Sequence, residues 1–266
     1  MNRRGYLQGR GVEGIRIMRR MRYSALMSLA GLLLFAVGTL GQGVDVRVNQ
    51  DPPGTVQNTS SIALNPVFAP GNIVVAYNDA PWAPTGLGIS FSMNGGATWT
   101  DRQILSVWGW EQGPSVSVDG RGNVFAGMYS FDALALGHSG IYVSRSANGG
   151  NTWSAPVAVS VQTAPGTQLP FETMPKVIAD RYAASPYMNN VYVVWERDLV
   201  NGINSNACFS RSTNSGASWS APAAVINDNQ GTDLVLWPDL AVGSDGRVVG
   251  GWLDSPFWMQ YQGQIW

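Results

Sequence analysis

Apolar residues come in short runs along most of this chain, and Gly, Asn, Asp or Ser closes each run. The clearest are Ile73-Val74-Val75-Ala76-Tyr77, Val124-Phe125-Ala126-Gly127-Met128-Tyr129, Val191-Tyr192-Val193-Val194-Trp195 and Val248-Val249-Gly250-Gly251-Trp252. Runs of this length, rich in β-branched and aromatic side chains and bounded by turn formers, predict β-strands. Beyond residue 43 no stretch shows the three-to-four spacing of an amphipathic helix.

The runs recur in a fixed order. A short first strand (Ile62-Ala63-Leu64, Val116-Ser117-Val118, Val177-Ile178-Ala179, Leu240-Ala241-Val242) is followed by a polar turn and then by one of the runs above. Pro114, Pro175 and Pro238 stand two residues before the last three first strands. A third strand, such as Ile141-Tyr142-Val143-Ser144, leads into an octet that occurs three times. The octets are Ser92-Met93-Asn94-Gly95-Gly96-Ala97-Thr98-Trp99, Ser146-Ala147-Asn148-Gly149-Gly150-Asn151-Thr152-Trp153 and Ser212-Thr213-Asn214-Ser215-Gly216-Ala217-Ser218-Trp219. Their Trp residues lie 54 and 66 positions apart, and a fourth strand leaves each octet.

Four antiparallel strands repeating at this period predict the blades of an all-β propeller; solenoid repeats are shorter. About 3.5 blades are expected, the fourth ending after its second strand. Propellers close with about 4–8 blades. The reading is therefore an incomplete propeller, either a fragment or one that self-associates through the open half-blade, whose free edge invites pairing. The expected organisation is an N-terminal extension and signal peptide over residues 1–42, a lead-in over 43–59 and the propeller over 60–266.

Charge distribution supports that division. Seven of the sixteen Lys and Arg residues fall within the first 22 positions, with one of the seventeen acids. From Gly43 onward 9 basic and 16 acidic residues remain, a net charge of about −7. Such a chain lacks the basic footprint of a nucleic-acid binder. Arg19, Arg20 and Arg22 precede a 13-residue, mostly apolar stretch at 25–37, with the small residues Thr39 and Gly41 at cleavage-site spacing. This predicts a secretory signal peptide, too short to span a membrane comfortably. Membrane association is expected only if that segment stays uncleaved. The single cysteine, Cys208, lies in an alternating apolar run and reads as a buried, inert thiol. No His/Cys/Asp cluster suggests a metal, and no Gly-rich strand-to-helix turn suggests a nucleotide, so no cofactor is expected.

The octet has the chemistry of a hairpin turn. Asn94, Asn148 and Asn214 can each bond backbone groups two or more residues on; Gly96, Gly150 and Gly216 supply left-handed backbone; and Trp99, Trp153 and Trp219 open the next strand with a large apolar surface. These are structural roles. The octets resemble the Asp box, Ser-x-Asp-x-Gly-x-Thr-Trp, of the sialidase (neuraminidase) superfamily, also called the BNR repeat. The resemblance covers residues 60–254, with Asn in place of Asp in every box. It implies a six-bladed propeller when complete and, in the family's enzymes, cleavage of terminal sialic acids. Asp boxes also occur in non-catalytic binding propellers, and a fold does not carry its function with it.

Asp-box turns mark one end of the blades, which places the ends of the second strands at the other. That top end carries Asp79, Asp132, Glu196, Arg197, Asp198 and Asp254, with Trp82 in the loop that follows Asp79, and the inter-blade loops add Trp108, Trp110, Glu111, Glu172, Asp228 and Asp233. Acids with Trp platforms suit sugar binding, and paired carboxylates suit glycoside hydrolysis. Asp79, Glu196, Arg197 and Asp254 are the candidate catalytic residues. Trp82, Trp108, Trp110, Glu111, Asp132 and Asp198 are the candidate ligand contacts. Each acid is equally at home as a turn cap. Sialidases further imply a clamp of three Arg, an Asp acid/base and a Tyr nucleophile paired with a Glu. Of the Arg residues only Arg197 reaches the top with certainty, and no Phe-Arg-Ile-Pro-like segment is present. Two partners follow: a glycan or glycoprotein surface acted on or bound by a sialidase-type glycosidase, or a carbohydrate or protein recognised without turnover.

Overall fold

The computed structural model describes residues 45–266 apart from 53, 80–85, 133–136, 164–169, 200–203, 222, 228–232, 256–263 and 266. The segment predicted to be a signal peptide, Trp82 and Asp228 lie outside the described residues. Those residues contain no helix and form four antiparallel sheets, each a simple meander. Blade 1 is β1 (Gln57–Leu64), β2 (Ile73–Asp79), β3 (Leu87–Ser92) and β4 (Thr100–Ile104). Blade 2 is β5 (Trp110–Val118), β6 (Val124–Phe131), β7 (His138–Ser146) and β8 (Val157–Thr163). Blade 3 is β9 (Phe171–Ala179), β10 (Val191–Asp198), β11 (Ser205–Ser212) and β12 (Ala224–Val225). Blade 4 is β13 (Leu234–Val242), β14 (Val248–Ser255) and β15 (Gln264–Ile265). The fourth blade thus has a third strand, where the sequence predicts only two, because Ile265 and Gln264 pair with Leu253 and Asp254.

The second strand of blade 2 is apolar on both faces because it divides its side chains between two cores. In β6, Val124, Ala126 and Met128 pack with Val74, Ala76, Ile89 and Phe91 of blade 1. From the alternate positions, Phe125 and Tyr129 pack with Val177, Val193, Trp195 and Cys208 of blade 3. The cores therefore lie between blades. First strands stand side by side and are joined by serine hydroxyls. Ser61 accepts from the Val116 N–H at 3.0 Å, and Ser115 and Ser117 accept from those of Val177 and Ala179 at 3.0 and 2.9 Å.

All three octets fold identically. The Ser146 hydroxyl donates to Asn148 Oδ1 at 3.0 Å and accepts the Gly150 N–H at 2.9 Å. Asn148 Oδ1 also accepts the Thr152 N–H at 2.8 Å, while Asn148 Nδ2 donates to Thr152 Oγ1 at 2.8 Å. The Asn94 and Asn214 turns repeat these bonds. The oxygen that an Asp would supply is thus present in Asn, and the amide takes over the bond to the Thr or Ser hydroxyl. The second and third turns also dock on the preceding blade, the third with Gly216 against the Phe125 ring. Asn72 donates to the Gly149 carbonyl at 2.9 Å, and a Cβ on Gly150 would lie 3.0 Å from that of Phe91.

First strands begin earlier than the sequence suggests. Trp110–Gly113, Phe171–Thr173 and Leu234–Leu236 read as loop but belong to β5, β9 and β13. The reason is a β-bulge at the same place in all four first strands, which breaks the two-residue alternation. Its left-handed residue is Thr59, Gly113, Met174 or Trp237, with φ of 47°, 67°, 50° and 50°.

Candidate functional site

Each second strand pairs at its start with the last residue of the first strand, at Ile73, Val124, Val191 and Val248. Six residues further on, at the end away from the octets, stand Asp79, Ser130, Arg197 and Asp254. The top of blade 3 carries the densest chemistry of this level, on both faces of its sheet.

On one face Glu172 is 0 % exposed. Its Oε1 accepts from Ser160 Oγ at 2.8 Å, Gln162 Nε2 at 2.9 Å, Arg197 Nε at 2.9 Å and Arg197 Nη2 at 2.7 Å. Its Oε2 accepts from Trp195 Nε1. Ser160 and Gln162 belong to β8, so this carboxylate fastens blade 2 to blade 3. Arg197 Nη2 also donates to Ser160 Oγ at 3.0 Å. Proposed from sequence as a catalytic or clamping Arg, Arg197 is thus engaged by an internal carboxylate, which leaves it poorly placed to grip a substrate anion.

On the other face Glu196 and Asp198 hydrogen-bond to one another, facing blade 4. Glu196 is 4 % exposed, whereas Asp198 is half-buried and opens the pair to solvent. Burial, and then the Asp198 charge beside it, pushes the Glu196 carboxyl far above the usual carboxylate range. Burial raises Asp198 as well. Both carboxyls are thus shifted towards the protonated form, and in their contact Glu196 is the donor and Asp198 the acceptor. The Trp237 backbone N–H donates to Glu196 and opposes the rise. Ser205, beside the pair, ties β11 to β13 by donating to the Val235 carbonyl at 2.6 Å and accepting its N–H at 2.7 Å.

The remaining candidates are dispersed. Glu111 is buried as a loop cap, its Oε1 accepting from Ser106 Oγ, the Val107 N–H and Ser130 Oγ, all at 2.7 Å. Trp108 stacks on His138 with ring centroids 4.1 Å apart and donates to the Tyr142 hydroxyl at 2.7 Å. His138, the first residue of β7, has its Nδ1 3.8 Å from Asp132 Oδ2. Trp110 packs against Phe131, which also meets Tyr129 and Phe171 in an aromatic cluster. Asp79 sits in blade 1, its carboxyl raised by burial and by Asp51 and Asp101, with Gln57 opposing. Asp254 is buried on β14. Trp108 and Trp110 are half-buried and committed to neighbours, so neither is a bare platform. Among the described residues no group of His, Cys, Asp and Glu is arranged to hold a metal ion. Cys208 is buried, its thiol pushed up to about 12 by burial.

Sequence reasoning missed Trp237 and the role of Glu172. The first is hidden because the residue before a proline ordinarily takes an extended conformation. The second is hidden because its partners lie 10 to 25 residues away on separate strands. The available signal was the shared x-Pro step at Gly113-Pro114, Met174-Pro175 and Trp237-Pro238.

No protein-family model and no curated protein matches the chain. Solved structures do. A Hadza microbial sialidase is 13 % identical, with a TM-score of 0.55 over 75 % of this chain and 44 % of its own. The Penicillium chrysogenum α-L-arabinanase complexed with arabinobiose is 15 % identical, with a TM-score of 0.58 over 83 % of this chain and 64 % of its own. The GH93 α-L-arabinofuranosidase of Fusarium graminearum is 15 % identical, with a TM-score of 0.53 over 83 % and 69 %. This chain thus spans about half to two thirds of the first two. At these identities the likeness is one of fold, and the chain is an all-β propeller of the architecture found in sialidases and arabinanases.

Proposed function

We propose that this is a secreted, glycan-acting propeller whose working groups are the Glu196–Asp198 pair at the top of blade 3. The observation that carries the reading is geometric: a buried carboxyl, Glu196, in hydrogen-bond contact with the half-buried Asp198, which opens it to solvent, in surroundings that favour the protonated form. A glycosidase needs such a group to protonate the departing sugar oxygen. Propeller folds shared with a sialidase and arabinan-degrading enzymes are consistent with a sugar as the ligand. Secretion rests on the basic and apolar start of the chain; the first residue of exported protein should lie near Gln42 by N-terminal sequencing.

Two carboxyls in hydrogen-bond contact are too close to flank a glycosidic bond, which takes about 5–5.5 Å in retaining and 6.5–9.5 Å in inverting enzymes. The pair therefore acts as one proton donor, and hydrolysis requires a second, separate carboxylate. Asp254, at the same level of blade 4, is the candidate. The sialidase-type form of the reading needs an Arg clamp, which Arg197, engaged by Glu172, does not supply unaided. That specific observation favours a second reading, carbohydrate binding without turnover. Fluorogenic sialosides and arabinofuranosides, assayed with the full chain, decide between them. Release abolished by Glu196→Gln supports hydrolysis. Glycan binding with no release supports the second reading, and neither binding nor release refutes both.

A further inference from the structure

The four first-strand bulges set an internal comparison, because one backbone conformation is filled by Thr59, Gly113, Met174 and Trp237. Glycine takes left-handed φ without strain, and blade 2 shows that it serves here. Trp237 takes it against the penalty of a bulky side chain and, like Met174, against the extended preference that its following proline imposes. Trp237 is 59 % exposed and Met174 40 %. An exposed indole on strained backbone is a feature of binding sites rather than of cores. Its location adds to this: the Trp237 backbone N–H donates to Glu196, so this residue is anchored beside the carboxyl pair.

We propose that Trp237 is the sugar-stacking platform of this site, laying its indole face against the apolar face of a pyranose or furanose ring held at Glu196–Asp198. Met174, at the matching position of the neighbouring first strand, provides a second soft apolar contact from blade 3. The bulge is the device that presents both side chains, since the extra residue turns a side chain out of the alternating pattern. This inference rests on the glycan-acting reading and names a binding residue that the chain's sequence alone does not disclose.

The test titrates 3′-sialyllactose and arabinobiose into the full chain and into Trp237→Gly, Trp237→Ala and Trp237→Phe, by calorimetry, with a thermal melt of each variant. Gly relieves the backbone, so Trp237→Gly is expected to melt at or above the parent temperature while weakening the bound sugar by about tenfold or more. Trp237→Ala should weaken it similarly, and Trp237→Phe should stay within about threefold of the parent. A sugar that binds the parent and the Gly and Ala variants equally overturns the platform and leaves the glycan-acting reading standing. So does a marked drop in melting temperature for Trp237→Gly, which would make the ring a packing element. Failure of the parent to bind either sugar removes the site and the platform with it.

Discussion

Glu172→Ala tests the most concentrated interaction in the molecule. The wild-type carboxylate is fully buried and accepts five hydrogen bonds from four residues, two of them from the Arg197 guanidinium. Truncation leaves that guanidinium, whose side chain is 19 % exposed, without a counter-charge. Removing one member of a buried ion pair costs about 3–5 kcal/mol. The indole N–H of fully buried Trp195 also loses its acceptor, at about 1–3 kcal/mol. The expected loss is about 4–8 kcal/mol, a large share of the roughly 5–15 kcal/mol that holds most domains folded. At about 2–4 °C per kcal/mol for a domain of this size, the melting midpoint should fall by some tens of degrees at the upper end and about 8 °C at the lower. Near-UV circular dichroism against temperature measures it. Glu172→Gln, which keeps one acceptor, should fall between parent and Glu172→Ala. The double variant Glu172→Gln/Arg197→Met should recover stability relative to Glu172→Ala because no lone charge remains. A midpoint for Glu172→Ala within about 2 °C of the parent would refute the reasoning.

Other outcomes follow from the same geometry. Ser215 takes φ of 57° where the other two octets have Gly, so Ser215→Gly should stabilise the protein by about 0.5–1 kcal/mol in urea titrations. The folded state holds the Glu196 proton up to about 9, well above an unfolded carboxyl near 4.3, so its contribution is full below the unfolded value. That contribution is lost as pH rises towards 9; stability measured from pH 5 to 9 should fall, and Glu196→Gln should flatten the slope. Asn148→Asp should be tolerated, since Oδ1 keeps its two bonds and the Thr152 hydroxyl can donate in reverse, whereas Asn148→Ala should cost about 1–2 kcal/mol. Cys208 should react with a thiol reagent only at the rate of global unfolding.

The octets were legible because the bonds that shape the turn are local: Ser146, Asn148, Gly150 and Thr152 bond to one another within seven residues. The second strands were legible because burial on both faces makes Val191 to Trp195 an unbroken apolar run. The first strands were half hidden, since the bulges at Gly113, Met174 and Trp237 invert the alternation partway along. The site was harder still. Sequence placed Glu196, Arg197 and Asp198 together at the top of one strand. Alternation alone could not say that Arg197 turns to Glu172 while Glu196 and Asp198 turn to blade 4, because the partner strands were read as loops. Glu111 shows the reverse case, an acid that looks available in the sequence and is enclosed by Ser106, Val107 and Ser130 in the fold.

The division of β6 between two neighbours has a mechanical corollary. Blade 2 excised from this chain would carry two halves of different interiors and no whole one, so it should not fold without a neighbour. Cutting the polypeptide between blades should therefore yield nicked but associated molecules rather than free modules. A defect in blade 2 should loosen blades 1 and 3 before blade 4, as in a linear array whose stability resides in the junctions. The register of one blade is, in this sense, information stored in the next.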